Sequence, residues 1–170
     1  MLTQSELKSA LRYNKNTGQF VRLVNGKGPN NQKGNVAGTH SHPRGYVQIS
    51  VKSKSYYAHR LAWLYVHGYM PAEIDHINGN TSDNRLRNLR ECSKPQNMQN
   101  LKRAGNSKNK SGHIGVCQSK NKWRASIRYT SNDDKRIKLT IGSYESKKEA
   151  IAAYNAAKLL LHNFQPTLIR

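Results

Sequence analysis

At 170 residues and 35% hydrophobic content, the chain suffices for one ordinary domain or two small ones but not for one large core. Its 29 Lys and Arg against 9 Asp and Glu give a formal charge of +20, more than solubility needs, which implies a polyanionic partner. No apolar run of 18 residues and no charged-then-apolar N-terminus are present, so neither a transmembrane span nor a secretion signal is expected, and the expected compartment is a cytoplasm.

The basic residues are not spread evenly. Residues 7–72 hold ten Lys or Arg and no acid, and residues 92–132 hold nine and again no acid. A solvated face or a disordered tail also produces such runs, but Tyr, Val, Ile and Trp are interleaved with the charges at strand-like spacing. A membrane surface is the other polyanion, and no basic amphipathic helix points to it.

In chain order, the first sixty residues alternate in the manner of strands. "GQFVRLV" (18–24) and the first part of "GYVQISVKSKSYYAHRLAWLYVHG" (45–68) are punctuated by the turn-rich "NGKGPNNQKGN" and "HSHPRG". This predicts a small antiparallel sheet with basic side chains outward. From Tyr57 to His67 the apolar pattern is nearly continuous, with Leu61, Leu64 and Tyr65 at helix spacing, so a helix is predicted there.

Residues 73–100 follow as a turn-dense unit. "EIDH" reads as a strand, "NGNTSDN" as a loop, "NRLRNL" as a return toward strand or loop, and "KPQNMQN" as a short helix carrying Asn97. Residues 101–112, "LKRAGNSKNKSG", form the expected boundary, a basic linker or an extended arm tracking a polyanion. Beyond it lie three strand candidates, 113–119, 122–130 and 136–144. A helix then opens with a capping box of Ser146 and Glu149 and sets Ala150, Ala153, Tyr154, Ala157 and Leu161 on one face.

Within the 73–100 unit, Asp75 offers oxygen to a hard cation, and the adjacent His76 can take a proton from water near neutral pH. By itself such a pair is more often structural. "IDHINGNTSDNRLRNLRECSKPQNMQN", preceded by "AHRLAWLYVHGYMP", resembles the HNH endonuclease motif in its His-Asn-Asn form, the variety of phage and intron-encoded homing endonucleases, over about residues 10–100. The resemblance implies that Asp75 and Asn97 bind the catalytic metal, His76 is the general base and Asn88 fixes the loop that aims it. Asn97 stands where the wider family often has histidine. A neutral amide oxygen is a hard ligand that suits magnesium or manganese better than zinc. His59 sits at a recurrent histidine of "AHRL", as a supporting residue or as a packed imidazole. Arg85 and Arg87 flank the loop as phosphate contacts or as surface charge. Cys92 and Cys117 lack CxxC spacing, so no disulfide framework and no structural zinc is expected. His40, His42, His67, His113 and His162 receive no role.

Residues 112–162 resemble the ethylene-response-factor type of DNA-binding domain through "IGV", "KWRASI" and "LTIGSYESKKEAIAAYNAAKLLLH". Alternation assigns Trp123, Ala125, Ile127, Ile137, Leu139 and Ile141 to the helix side. Arg124, Ser126, Arg128, Lys138 and Thr140 fall on the opposite face, which would enter a major groove. Cys117 and Ser119 stand where that family carries arginines on its first strand. Lys102, Arg103 and Lys122 complete the expected DNA contacts.

The expected whole is an α+β chain. Residues 1–100 form a nuclease domain with an N-terminal DNA-contacting antiparallel sheet and a ββα-metal motif, 101–112 a basic linker, and 113–170 a DNA-binding domain of a three-stranded antiparallel sheet with one helix. It would be a site-preferring DNA endonuclease using magnesium or manganese, acting as a monomer on double-stranded DNA and nicking one strand. A DNA-binding regulator with an inactive motif and a low-specificity nuclease are the alternatives.

Overall fold

The computed structural model describes residues 2–99, 109, 111–131 and 135–162. It has the expected α+β architecture of small antiparallel sheets and few helices, and divides into two compact units, Met1–Asn97 and Met98–Arg170.

The first unit opens with a helix, α1 (Gln4–Ala10), where strand-like alternation had been expected. Its signal is a capping box: Thr3 accepts from the backbone N–H of Glu6, and the Glu6 carboxylate accepts from the backbone N–H of Thr3. α1 is only seven residues long and stands by burying Leu7 completely.

Strands β1 (Leu11–Tyr13), β2 (Phe20–Arg22) and β3 (Val36–Ala37) form one antiparallel sheet in that order. β4 (Gln48–Val51) and β5 (Lys54–Tyr57) form a hairpin that runs directly into α2 (Ala58–His67). Gly68 ends α2 in the left-handed conformation at φ 82°, its N–H returning to the Leu64 carbonyl, a position that favours glycine. Leu7, Leu11, Phe20, Ile49 and Leu61 are almost wholly buried in the core shared by these elements. Truncating Leu61 to alanine in such a core costs about 2–5 kcal/mol.

β6 (Glu73–His76) and β7 (Leu89–Cys92) pair antiparallel, with Asp75 opposite Arg90 and His76 opposite Leu89. α3 (Lys94–Gln99) follows, its start tied by Ser93 and Gln96, whose side chains each accept the other's backbone N–H. The strand, loop, strand, helix order expected for residues 73–100 is therefore present.

The second unit is a three-stranded antiparallel sheet, β8 (Val116–Ser119), β9 (Lys122–Thr130) and β10 (Arg136–Tyr144), with β9 central and α4 (Lys147–Leu161) packed on it. The Ser146–Glu149 capping box is formed. Val116, Ala125, Ile127, Ala150 and Tyr154 make the buried core, joined by Trp123 and Ile141 at its margin. Ile137 and Leu139 depart from expectation. Leu139 pairs with Ile127 and so shares its face, yet Ile137 is 37% and Leu139 43% exposed. Both precede the irregularity between Thr140 and Gly142, and neither belongs to the cluster that packs with α4, so alternation gives the face of β10 but not how far the helix covers it. Gly115, at φ +73°, lies so close to the Tyr154 ring that a Cβ would fall 2.1 Å from it, which makes glycine obligatory there.

Candidate active site

β6 buries Ile74, Asp75 and His76 in succession, an unusual pattern for a strand carrying two polar side chains. Successive side chains of a strand point to opposite faces, so Asp75 and His76 serve two different environments.

On one face, the Asp75 carboxylate, 5% exposed, meets the Arg90 guanidinium across the hairpin. Nε and Nη2 of Arg90 both reach Oδ2, at 2.9 and 2.8 Å. Glu73, two residues earlier and so on the same face, accepts from the Asn97 side-chain amide at 3.4 Å. That bond brings the α3 residue to the Asp75 side of the hairpin. Burial first, then the carboxylates of Asp75 and Glu73, push the Cys92 thiol up to about 11, which leaves it an inert neutral thiol.

On the other face, His76 is 4% exposed and its Nε2 lies 3.4 Å from the Asn84 side-chain oxygen. The Asn84 amide nitrogen donates to the Ser82 carbonyl, which turns Oδ1 toward the imidazole. An acceptor there requires that Nε2 carry the hydrogen, so Nδ1 holds the lone pair. Burial lowers the His76 pKa, against the opposing pull of Asn84 and Asp75, so the ring is neutral at pH 7.

Aromatic rings close this face. The rings of His59 and His76 meet edge-on with centroids 5.0 Å apart, and Tyr46 lies 5.4 Å from His59 and 6.0 Å from His76. Tyr57 stacks on His59 at 5.6 Å, and His42 adjoins both tyrosines. Burial, then the neighbouring His76 and Arg60, lower the His59 pKa to about 3, and its Nδ1 is buried without a hydrogen-bond partner.

The loop between β6 and β7 is held by its own side chains. Asn88, 6% exposed, accepts from the Asn78 N–H at 3.0 Å and donates to the Asp83 carbonyl at 2.8 Å. Asp83 in turn accepts from the Asn78 amide and from Arg85, which hold its carboxyl below the usual range. Tyr13 reaches in from β1 and donates to the Asn84 carbonyl at 2.7 Å. Gly18, at φ +76°, presses against the same backbone, where a Cβ would come 2.5 Å from the Arg85 nitrogen. The N-terminal sheet therefore braces the residue that contacts His76.

Thus Asp75, His76 and Asn88 sit on or beside one hairpin, and Asn97 approaches through Glu73. Sequence reasoning missed Asn84, Arg90, Glu73, Tyr46 and Tyr57. For Arg90 the signal lay in the hairpin register, which sets it opposite Asp75. The groups on the Asp75 face able to ligate a cation, the Asp75 and Glu73 carboxylates and the Asn97 amide, offer oxygen, which suits a hard divalent cation, while Arg90 holds the Asp75 carboxylate in this structure. Among the described residues, no group of three or more His, Cys, Asp or Glu is arranged to hold a metal alone, so such an ion would need water and phosphate oxygens as further ligands.

The expected DNA contacts fall into groups. Arg85 is engaged by Asp83, Arg87 is exposed, and Lys122 pairs with Glu145 at 2.7 Å. Lys102 and Arg103 lie outside the described residues. On the second unit's open face, Arg128 pairs with Lys138, Ser126 with Thr140 and Cys117 with Arg124, and Arg124, Arg128, Lys138 and Thr140 are exposed while Ser126 is half-buried. Among the described residues, no helix is long and apolar enough to cross a membrane.

Residues 56–99, from the end of β5 to the end of α3, match the family model described as HNH endonuclease, which supports a nuclease. No curated protein and no solved structure matches the chain.

Proposed function

We propose that the chain is a divalent-metal-dependent, site-preferring DNA endonuclease with His76 as general base. The observation that carries this reading is the neutral, Asn84-oriented His76 set back to back with Asp75 inside the segment that matches the HNH endonuclease family.

In this mechanism Nδ1 of His76 takes a proton from the water that attacks phosphorus. The P–O bond to the 3′ oxygen breaks, and that oxygen gains a proton. The products are a 5′ phosphate and a 3′ hydroxyl. Asn84 keeps the ring in the tautomer with its hydrogen on Nε2 and its lone pair on Nδ1, and His59 and Tyr46 limit its rotation. Asn88 keeps the loop, and with it Asn84, in place. Asp75 and Asn97 would hold the cation, with Glu73 beside them. Magnesium or manganese bound there supplies charge stabilisation to the phosphate and the departing oxygen.

The second unit, in this reading, is a DNA-binding domain of the ethylene-response-factor type that lays Arg124, Ser126, Arg128, Lys138 and Thr140 in the major groove of double-stranded DNA. A recognition domain beside a nuclease suits a long asymmetric site and hence a homing role, an argument from analogy. One motif per chain makes a monomer a nicking enzyme, working in the cytoplasm of a bacterial host if phage-encoded.

A DNA-binding regulator with a silent nuclease motif is the second reading. It draws on the Asp75–Arg90 ion pair, which sets a guanidinium where a cation would compete. Supercoiled plasmid carrying candidate source DNA, incubated with magnesium, manganese or a chelator, separates the two. Metal-dependent open circles at a discrete position, lost in His76→Ala, are expected. Tight binding with no cleavage in any metal would favour the regulator.

A further inference from the structure

A cleft of about 560 Å³ lies between the β2–β3 part of the N-terminal sheet and the β4–β5 hairpin, lined by Arg22, Asn30, Asn35, Gln48 and Ser55 among others. Its lining residues all precede residue 56, outside the segment that matches the nuclease family. A volume of this size suits a small-molecule fragment rather than a single water.

Its one charged wall residue is Arg22, which is only 8% exposed. Backbone bonds lock Arg22 in β2: its N–H donates to the Asn35 carbonyl and its carbonyl accepts from the Gly34 N–H, both at 2.9 Å. The side chain is less well served. Nη1 donates to the Ser50 carbonyl at 3.3 Å, and Nε has no hydrogen-bond partner. Among the described residues no carboxylate lies within ion-pair distance of Arg22, and residues 7–72 contain no acid at all.

A buried guanidinium without a counter-charge is costly, and the cost falls when an anion arrives. The rest of the lining consists largely of amides and hydroxyls, neutral groups able to donate to phosphate oxygens without competing for the arginine. The loop that leads from β2 to β3 adds Lys27 and Lys33, both exposed.

We propose that this cleft is an anion site, seated on Arg22, that takes one phosphodiester of a DNA strand away from the cleavage centre. The identity of the ligand rests on the DNA-endonuclease reading; the demand for an anion rests on Arg22 alone. The site is a positional anchor. It contributes affinity and register, and no chemistry.

The test uses the full chain in EDTA, so that cleavage does not intervene. Inorganic phosphate is titrated while the Arg22 side-chain Nε–H resonance is followed by nitrogen-edited NMR, and a shift of that signal is expected. Binding of duplex DNA is then compared for the parent, Arg22→Met and Arg22→Lys. Arg22→Met should weaken binding about tenfold and lower the slope of log affinity against log salt by about 1, with Arg22→Lys between the two. Ser55→Asp, at an exposed position on the cleft, carries the same test if Arg22→Met does not fold, because it sets a negative charge against the phosphate.

A resonance unmoved by phosphate overturns the anion site. A phosphate-dependent shift combined with unaltered DNA affinity in folded Arg22→Met or Ser55→Asp overturns the assignment to a DNA strand. Failure of the nuclease reading looks different: DNA binds through Arg22 and no strand is cut when metal is restored.

Discussion

The imidazoles of His59 and His76 meet edge to face with their centroids 5.0 Å apart, one carried by α2 and the other by β6. His59 thus forms part of the wall against which His76 is aimed. His59→Ala should lower the cleavage rate about 10- to 100-fold, since small misplacements of a catalytic group cost that much, while leaving KM for the DNA site unchanged. His59→Phe, which restores the ring, should recover part of the loss. Single-turnover kinetics on nicked product measure both, and equal rates for alanine and phenylalanine variants would show that ring packing is irrelevant.

Burial also makes stability depend on pH in a defined direction. The unfolded His59 titrates near 6.5 and the folded one near 3, so the unfolded chain binds more protons between those values. The His59 contribution is fully present above pH 6.5 and is lost as pH falls toward 3. Between pH 7 and pH 4 this one group should account for a loss on the order of 3 kcal/mol. Urea unfolding at the two pH values, compared between the parent and His59→Phe, isolates it: the variant should lose less stability on acidification. A parallel loss in both chains would mean that other groups set the acid limit.

The Asp75–Arg90 pair predicts an asymmetric double-mutant cycle. Arg90→Met deprives a carboxylate that is 5% exposed of its guanidinium and should destabilise by about 3–5 kcal/mol. Asp75→Asn combined with Arg90→Met should recover much of that. In metal, Arg90→Met should bind the cation more tightly than the parent, because the competing charge is gone. Calorimetric titration with manganese reads this out, and unchanged affinity would place the ion elsewhere.

On the second unit, Arg128 and Lys138 are cross-strand partners with exposed side chains. Replacing both with alanine should lower DNA affinity and reduce the salt slope by about 2, one for each lost phosphate contact. Anisotropy titrations at several salt concentrations measure it. If slope and affinity both stay at parental values, the DNA-facing side of the sheet has been assigned wrongly.

Local chemistry made much of the fold readable. The turn-dense run after His76, the continuous apolar stretch ending at Gly68 and the Ser146–Glu149 box each sit where a short-range rule puts them. α1 carried an equally local signal in Thr3 and Glu6, overshadowed by the strand-like pattern that follows it. Ile137 and Leu139 were misread because alternation assigns a face but not how far α4 covers it. The residues around His76 were the least accessible. Asn84 is one asparagine among several in the loop, and only the fold decides that it, and not Asn80, turns to the imidazole. Tyr46 and Tyr57 read simply as strand aromatics.

Consecutive positions on β6 give the two halves of the site to opposite sides of a two-stranded ribbon. A slip of one residue against β7 would carry the carboxylate into the aromatic wall and the imidazole toward Arg90, exchanging the two roles without breaking a covalent bond. The asparagine bonds of the intervening loop are therefore a ruler as well as a brace: they count residues between the strands. A single insertion or deletion between Ile77 and Asn88 should silence the proposed cleavage more completely than many substitutions at Asp75 or His76.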